Sequence, residues 1–164
     1  MDVVLRKVTV EDMEDVHQLV IGLAIYENEP EAVTATLDDY KAAFEEGIFD
    51  AIVAILDSKI VGMVLYYMTF STWKGKCMYL EDFYVVPEYR NMGIGQQLFQ
   101  AYIDETKKAG AKQAKWQILD WNEPALGFYH KNEAIIEKKL VEWQTLFLND
   151  YTLHASDIQS ANGL

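Results

Sequence analysis

The sequence is poor in residues that staple or interrupt a chain. Cys77 is the single cysteine among 164 residues, so an internal disulfide framework is excluded. A chain of this length buries about 70% of its unfolded surface, enough for a core without disulfides or a structural metal. The three prolines, at 30, 87 and 124, fall singly, and no linker, repeat or low-complexity run divides the chain. One domain over residues 1–150 is expected, followed by a polar tail over 151–164. His17, His130 and His154 are dispersed without ligand spacing, so no metal site is expected. Neither a run of about 18 apolar residues nor a basic start with an apolar stretch is present, and no membrane partner or targeting peptide is expected. With the lone thiol, this points to a reducing, cytoplasmic setting. Basic side chains are also scarce, 14 against 26 acidic ones, for a net charge of −12. Nucleic acid, whose phosphates demand a basic face, is not an expected partner, whereas cations are drawn by the long-range field.

What is present reads as alternating strands and helices. Val3 to Val8 has strand character, and Thr9 with Asp12 caps a helix whose Met13, Val16, Val20, Leu23 and Ala24 form one apolar stripe. His17 is expected to face solvent. Thr36 with Asp39 opens a shorter helix to Glu46, stopped by Gly47. Ala51 to Leu56 and Ile60 to Phe70 bracket a turn at Asp57-Ser58-Lys59 as a hairpin, and Cys77 to Val86 is a third run rich in aromatic and β-branched residues, ended by Pro87. A helix carrying Leu98, Phe99, Tyr102 and Ile103 closes at Gly110. Lys112 to Leu119 is expected as a strand, and Pro124 sits in the first turn of a helix through Lys131. Two last strands are expected at Ala134 to Lys139 and Trp143 to Asn149. The mixed order implies an α/β (α+β) sheet with helices on both faces.

The sharpest local signal is Arg90-Asn91-Met92-Gly93-Ile94-Gly95, between a strand and a helix. Two glycines permit a tight turn and close approach to a ligand. Successive N–H groups at a helix N-terminus cradle a phosphate, and Arg90 adds charge. The segment lacks the Gly-Lys-Ser/Thr ending of a Walker loop, and Leu98 stands where a dinucleotide fingerprint needs its third glycine. Alone, such a turn also serves plain chain reversal.

In its setting it says more. Val85-Val86-Pro87-x-x-Arg90-x-x-Gly93-x-Gly95, followed by Asn122 and Tyr129, resembles the GCN5-related N-acetyltransferase (GNAT) superfamily. Tyr79-Leu80-Glu81-Asp82-Phe83-Tyr84-Val85, Trp121-Asn122-Glu123-Pro124 and Trp143-x-x-Leu146-Phe147, with Tyr66-Tyr67 and Trp73, resemble its diamine (spermidine/spermine) and thialysine branch. The likeness spans Val3 to Leu148. It implies a mixed sheet of about six to seven strands with a splayed parallel pair, and acetyl-CoA as co-substrate without a metal. Cofactor contacts are implied at Phe83, Val85, Arg90, Asn91, Met92, Gly93, Ile94, Gly95, Asn122, Pro124, Phe128 and Lys131, with the Val85 N–H polarising the thioester carbonyl. Tyr129 is implied as general acid to the departing thiolate, and Glu81 as proton acceptor for the amine, directly or through water. The chemistry calls for both: an alkylammonium of pKa ~10.4 must lose a proton before it attacks, and a phenol near ~10 can protonate a thiolate.

Tyr26, Glu27, Trp73, Glu81 and Asp82 are implied around the acceptor amine, where aromatic faces and carboxylates hold a cation. Glu81 and Asp82 are neighbours in a strand and point to opposite faces unless a bulge intervenes; the superfamily carries one near here in its central parallel pair. Polyamine enzymes have an acidic residue two before the loop tryptophan; Ser71-Thr72-Trp73 here is closer to the thialysine relatives, favouring a short amine. Relatives end the helix after the tyrosine with glycine; here Asn132 precedes Glu133, and asparagine tolerates a left-handed cap. Members of the branch are homodimers, which would put Glu142 and Trp143 near the interface. Two other readings stand beside a small-amine N-acetyltransferase: an enzyme acting on protein N-termini or lysines, which needs an open groove, and a CoA-binding protein without activity.

Overall fold

Residues 51–54 are buried one after another, the mark of a strand covered on both faces. Asp57 and Ser58 then both take left-handed backbone, φ 49° and 64°, the geometry of a two-residue hairpin turn. This hairpin is the centre of a computed structural model that describes residues 2–132 and 134. It divides into two compact units, Met1–Gln117 and Ile118–Leu164.

The first unit runs β1 (Val4–Lys7), α1 (Met13–Tyr26), α2 (Leu37–Glu45), β2 (Asp50–Leu56), β3 (Lys59–Ser71), β4 (Gly75–Val85), α3 (Ile94–Lys108) and β5 (Gln113–Lys115). The strands lie in the order β1-β2-β3-β4-β5, antiparallel except for the last pair. Met13, Val16 and Leu19 of α1 pack with Ala51, Val53, Met63, Leu65 and Tyr84 on one face. On the other, α3 sets Leu98 against Gly62, Phe99 against Phe83 and Tyr102 against Tyr66. The Tyr102 hydroxyl donates to the Met78 carbonyl at 2.7 Å. Ahead of α1, the Asp12 carboxylate accepts from the Thr9 N–H and from both terminal nitrogens of Arg6, at 2.6 to 2.8 Å, which holds its pKa down at about 2.

Two departures from strict alternation shape the site. Leu65 pairs with Asp82 and Tyr66 with Leu80, so Glu81 is an extra residue bulged out of β4. The bulge sits in the antiparallel β3–β4 ladder, whereas the resemblance places it in the parallel pair. That parallel pair is short, joining only Cys77 to Gln113, Met78 to Ala114 and Tyr79 to Lys115. The strand expected over Lys112 to Leu119 is thus reduced to three residues, because beyond Tyr79 the two strands part while β4 continues to Val85. Five strands are present among the described residues, against the six to seven expected. Except for Ala134, the two further strands lie outside the described residues, as do Glu142 and Trp143.

In the second unit, Asn122 caps α4 (Glu123–Lys131) by accepting from the Ala125 N–H at 3.4 Å, with Pro124 in the first turn. The left-handed end expected at Asn132 is not formed. Its φ is −94°, and the side-chain amide donates to the Phe128 carbonyl at 2.9 Å, satisfying an end-of-helix oxygen directly. His17 is also not free in solvent: its Nε2 lies 3.0 Å from the Ala35 carbonyl and its ring 4.8 Å from that of Tyr40, joining α1 to α2.

Candidate active site

The bulge changes which way the two adjacent carboxylates point. Met63 and Leu65 belong to the face packed by α1, and Tyr67, two residues on, shares it. The Tyr67 hydroxyl donates to Glu81 Oε2 at 2.6 Å, placing Glu81 on that face. Asp82 lies there too, beside Glu81 and within electrostatic reach of Glu27 at the end of α1. Regular alternation would have sent the pair to opposite sides; the extra residue brings them together.

Their surroundings set their protonation. Half-buried, and beside Glu81 and Glu27, the Asp82 carboxyl is pushed up to about 7, with burial the larger cause. Burial also raises Glu27. Tyr40, from α2, is raised to about 12 by burial and by Asp82 and Glu81, and Tyr67 is raised by burial and its bond to Glu81. Tyr79 stacks near Tyr67, ring centroids 5.5 Å apart. The result is three carboxylates edged by phenols, a setting that attracts an organic cation and can hold a proton near neutrality. Among the described residues no group of three or more His, Cys, Asp or Glu side chains is placed to hold a metal.

Tyr40, Tyr67 and Tyr79 were not legible as site residues. Register reveals the last two: they are opposite one another on the ladder, on the face of the bulged carboxylate. Trp73 is not brought to the carboxylates. It stands at the hairpin tip, 92% exposed, where the Ser71 hydroxyl accepts from the Trp73 and Lys74 N–H groups at 3.3 and 3.1 Å. Ser71 is thereby a turn residue.

At the other end of β4 the backbone prepares a second binding feature. The Val86 N–H donates to the Val61 carbonyl at 2.9 Å, so the Val85 N–H and C=O, of opposite parity, face the side from which β5 has departed. The Val85 carbonyl accepts from Arg90 Nε at 2.8 Å. Asn91 and Gly93 then take left-handed conformations, φ 62° and 77°, and α3 begins at Ile94, its first turn closed by Gln97 N–H to the Gly93 carbonyl at 3.2 Å. Alternating left-handed residues before a helix aim successive N–H groups at one point, an anion cradle. Asn91, Met92 and Gly93 are exposed, and the Gly95 Cα is close to Phe83 and Val85, where an added Cβ would touch Phe83 at 3.5 Å.

In the second unit Tyr129 lies beside Phe128, ring centroids 5.5 Å apart, and burial raises its phenol, which is therefore protonated at neutral pH. Lys131 is exposed in the last turn of α4.

β4 thus carries a parallel pairing that ends early, a left-handed turn into the following helix and a cluster of carboxylates. The profile of the Acetyltransferase (GNAT) family matches residues 13–133, and the chain belongs to that family. GNAT acetyltransferases use acetyl-CoA, and the chain is an N-acetyltransferase. It is 27% identical over 138 residues to a thialysine N-epsilon-acetyltransferase of Caenorhabditis elegans, an alignment spanning 84% of this chain and 86% of that one. To the Bos taurus protein of the same name it is 44% identical over 70 residues, 43% of this chain and 41% of the relative. Among solved structures, an aminoglycoside acetyltransferase from an uncultured soil metagenomic sample superposes with a TM-score of 0.76 at 19% identity, over 89% of this chain and 97% of that chain. That likeness concerns the fold. No helix among the described residues is long and apolar enough to cross a membrane.

Proposed function

We propose that the protein transfers the acetyl group of acetyl-CoA to the primary amine of a short amino-acid-like cation, of the thialysine or lysine-analogue class or a small diamine, by direct attack within a ternary complex. The observation that carries this reading is the bulge that sets Glu81 and Asp82 side by side beneath Glu27. The carboxylates hold the substrate's positive charge. Glu81, oriented by Tyr67, takes the proton from the attacking nitrogen directly or through water, while Asp82, poised near neutrality, completes the acceptor pair. The nitrogen attacks the thioester carbon, whose oxygen is polarised by the Val85 N–H, and the tetrahedral intermediate collapses with loss of the CoA thiolate. Tyr129 protonates that thiolate. The N–H groups from Asn91 to Gly95 hold the cofactor's pyrophosphate, and by the family resemblance Asn122, Pro124, Phe128 and Lys131 are further cofactor contacts. Tyr26 lines the acceptor side, and a homodimer in the cytoplasm completes the reading.

The test is thiol release from acetyl-CoA across thialysine, lysine, short diamines, spermidine, spermine and a short peptide. Turnover on the short amines, falling as the amine lengthens, is expected. Turnover on the peptide alone, or none at all with acetyl-CoA still bound, would overturn the assignment. Tyr129→Phe should lower kcat about 10²-fold or more while leaving acetyl-CoA affinity unchanged.

A further inference from the structure

Arg90 joins the two halves of the proposed site. Its Cζ lies 4.9 Å from the centroid of the Tyr26 ring and 5.4 Å from that of Tyr84, and its Nε bonds the Val85 carbonyl. Tyr26 is the last residue of α1, and Glu27, next in sequence, faces Asp82. Tyr84 is buried beneath α1, where Gly22 makes room for it: a Cβ there would stand 3.1 Å from the Tyr84 hydroxyl. The peptide between Val85 and Val86 is held at both ends, its carbonyl by Arg90 and its N–H by the Val61 carbonyl. One guanidinium thus rests on the helix end that carries the amine-binding carboxylate, on the strand that carries Asp82, and on the peptide that ends that strand at Val85.

We propose that Arg90 is a positioning residue that couples the amine site to the cofactor cradle: through Tyr26 it seats the end of α1, and through the Val85 carbonyl it sets the direction of the strand end that presents the thioester-polarising N–H. This rests on the small-amine reading given above. Three contacts on one planar group make the two sites move together. Lysine cannot replace it, because a point-like ammonium lacks the flat face that stacks on tyrosine and the Nε that reaches the carbonyl.

Arg90→Gln, Arg90→Lys, Tyr26→Leu and the Arg90→Gln/Tyr26→Leu double variant are compared by steady-state kinetics in both substrates, by acetyl-CoA affinity and by amide hydrogen exchange. Arg90→Gln and Arg90→Lys should each raise the amine KM about tenfold and lower kcat, with acetyl-CoA affinity altered less than about threefold. Tyr26→Leu should reproduce the amine effect, and the double variant should be no worse than Arg90→Gln alone, as expected of groups acting as a unit. In the wild type, saturation with CoA should slow exchange at the Glu27 N–H; in Arg90→Gln it should not. A loss confined to acetyl-CoA affinity and erased by salt would assign Arg90 to the phosphates and overturn the coupling, as would additive effects in the double variant. Should no small amine be acetylated, the substrate assignment falls while the exchange measurement still decides whether Arg90 couples the two regions.

Discussion

A carboxyl whose folded pKa stands near 7 costs the fold something. Between the ordinary aspartate value of 3.8 and about 7, the native state holds a proton on Asp82 that the unfolded chain has released. Stability contributed by this group therefore falls as pH rises through that window, and the penalty is complete above it. Asp82→Asn should raise Tm at pH 8 and leave it unchanged at pH 4, a direct thermal-melt comparison. The same substitution should remove the limb of kcat/KM that rises through about pH 7, leaving only the ascent set by the amine itself. An unchanged Tm at pH 8 would mean that the carboxylate is not desolvated. Activity and stability thus pull this position in opposite directions. Asp12 runs the other way: its low pKa keeps the Arg6 contact intact above the ordinary carboxylate range, and that contribution fades as pH falls toward about 2.

At the scale of elements, the cradle depends on two glycines in different ways. An added Cβ at Gly93 meets nothing within 4 Å, but its φ of 77° is costly for any other residue, about 1–2 kcal/mol. Gly93→Ala should lower Tm and weaken acetyl-CoA binding together. Gly95→Ala places a methyl at ordinary contact distance from Phe83 and should leave Tm unchanged, so calorimetry of the two variants separates backbone demand from ligand approach. Most elements were legible because their signals are local: the Thr36 and Asp39 cap, the Asp57-Ser58 turn and the stripe of α1 each follow from neighbouring residues. The length of β5 was not, since strand residues beyond Lys115 look no different from those before it; only the divergence of its partner ends the pairing. The position of the bulge was equally hidden, because which ladder absorbs an extra residue is decided by register across strands. Arg90 was legible as a charge beside a phosphate loop, but its seat on two tyrosines from distant segments was not.

For the molecule as a whole, a net charge of −12 gives a field that gathers cations before any contact is made. For a doubly charged amine, kcat/KM should fall severalfold between about 50 and 300 mM salt while kcat stays constant, since screening weakens approach and leaves the bound state largely intact. A salt-independent kcat/KM would confine recognition to the pocket carboxylates alone. Composition made this attraction legible from the outset, together with the absence of an internal disulfide, and the resemblance named Glu27, Glu81 and Asp82; that a bulge turns Glu81 and Asp82 to one face required the folded sheet.

The bulge at Glu81 also has an evolutionary reading. Leu65 with Asp82 and Tyr66 with Leu80 are consecutive rungs on β3, so removal of Glu81 alone would leave a continuous ladder with every other pair in place. The carboxylate pair therefore depends on one extra residue in an otherwise regular ladder. A lineage can gain or lose this chemistry by one insertion or deletion, without passing through a misfolded ancestor.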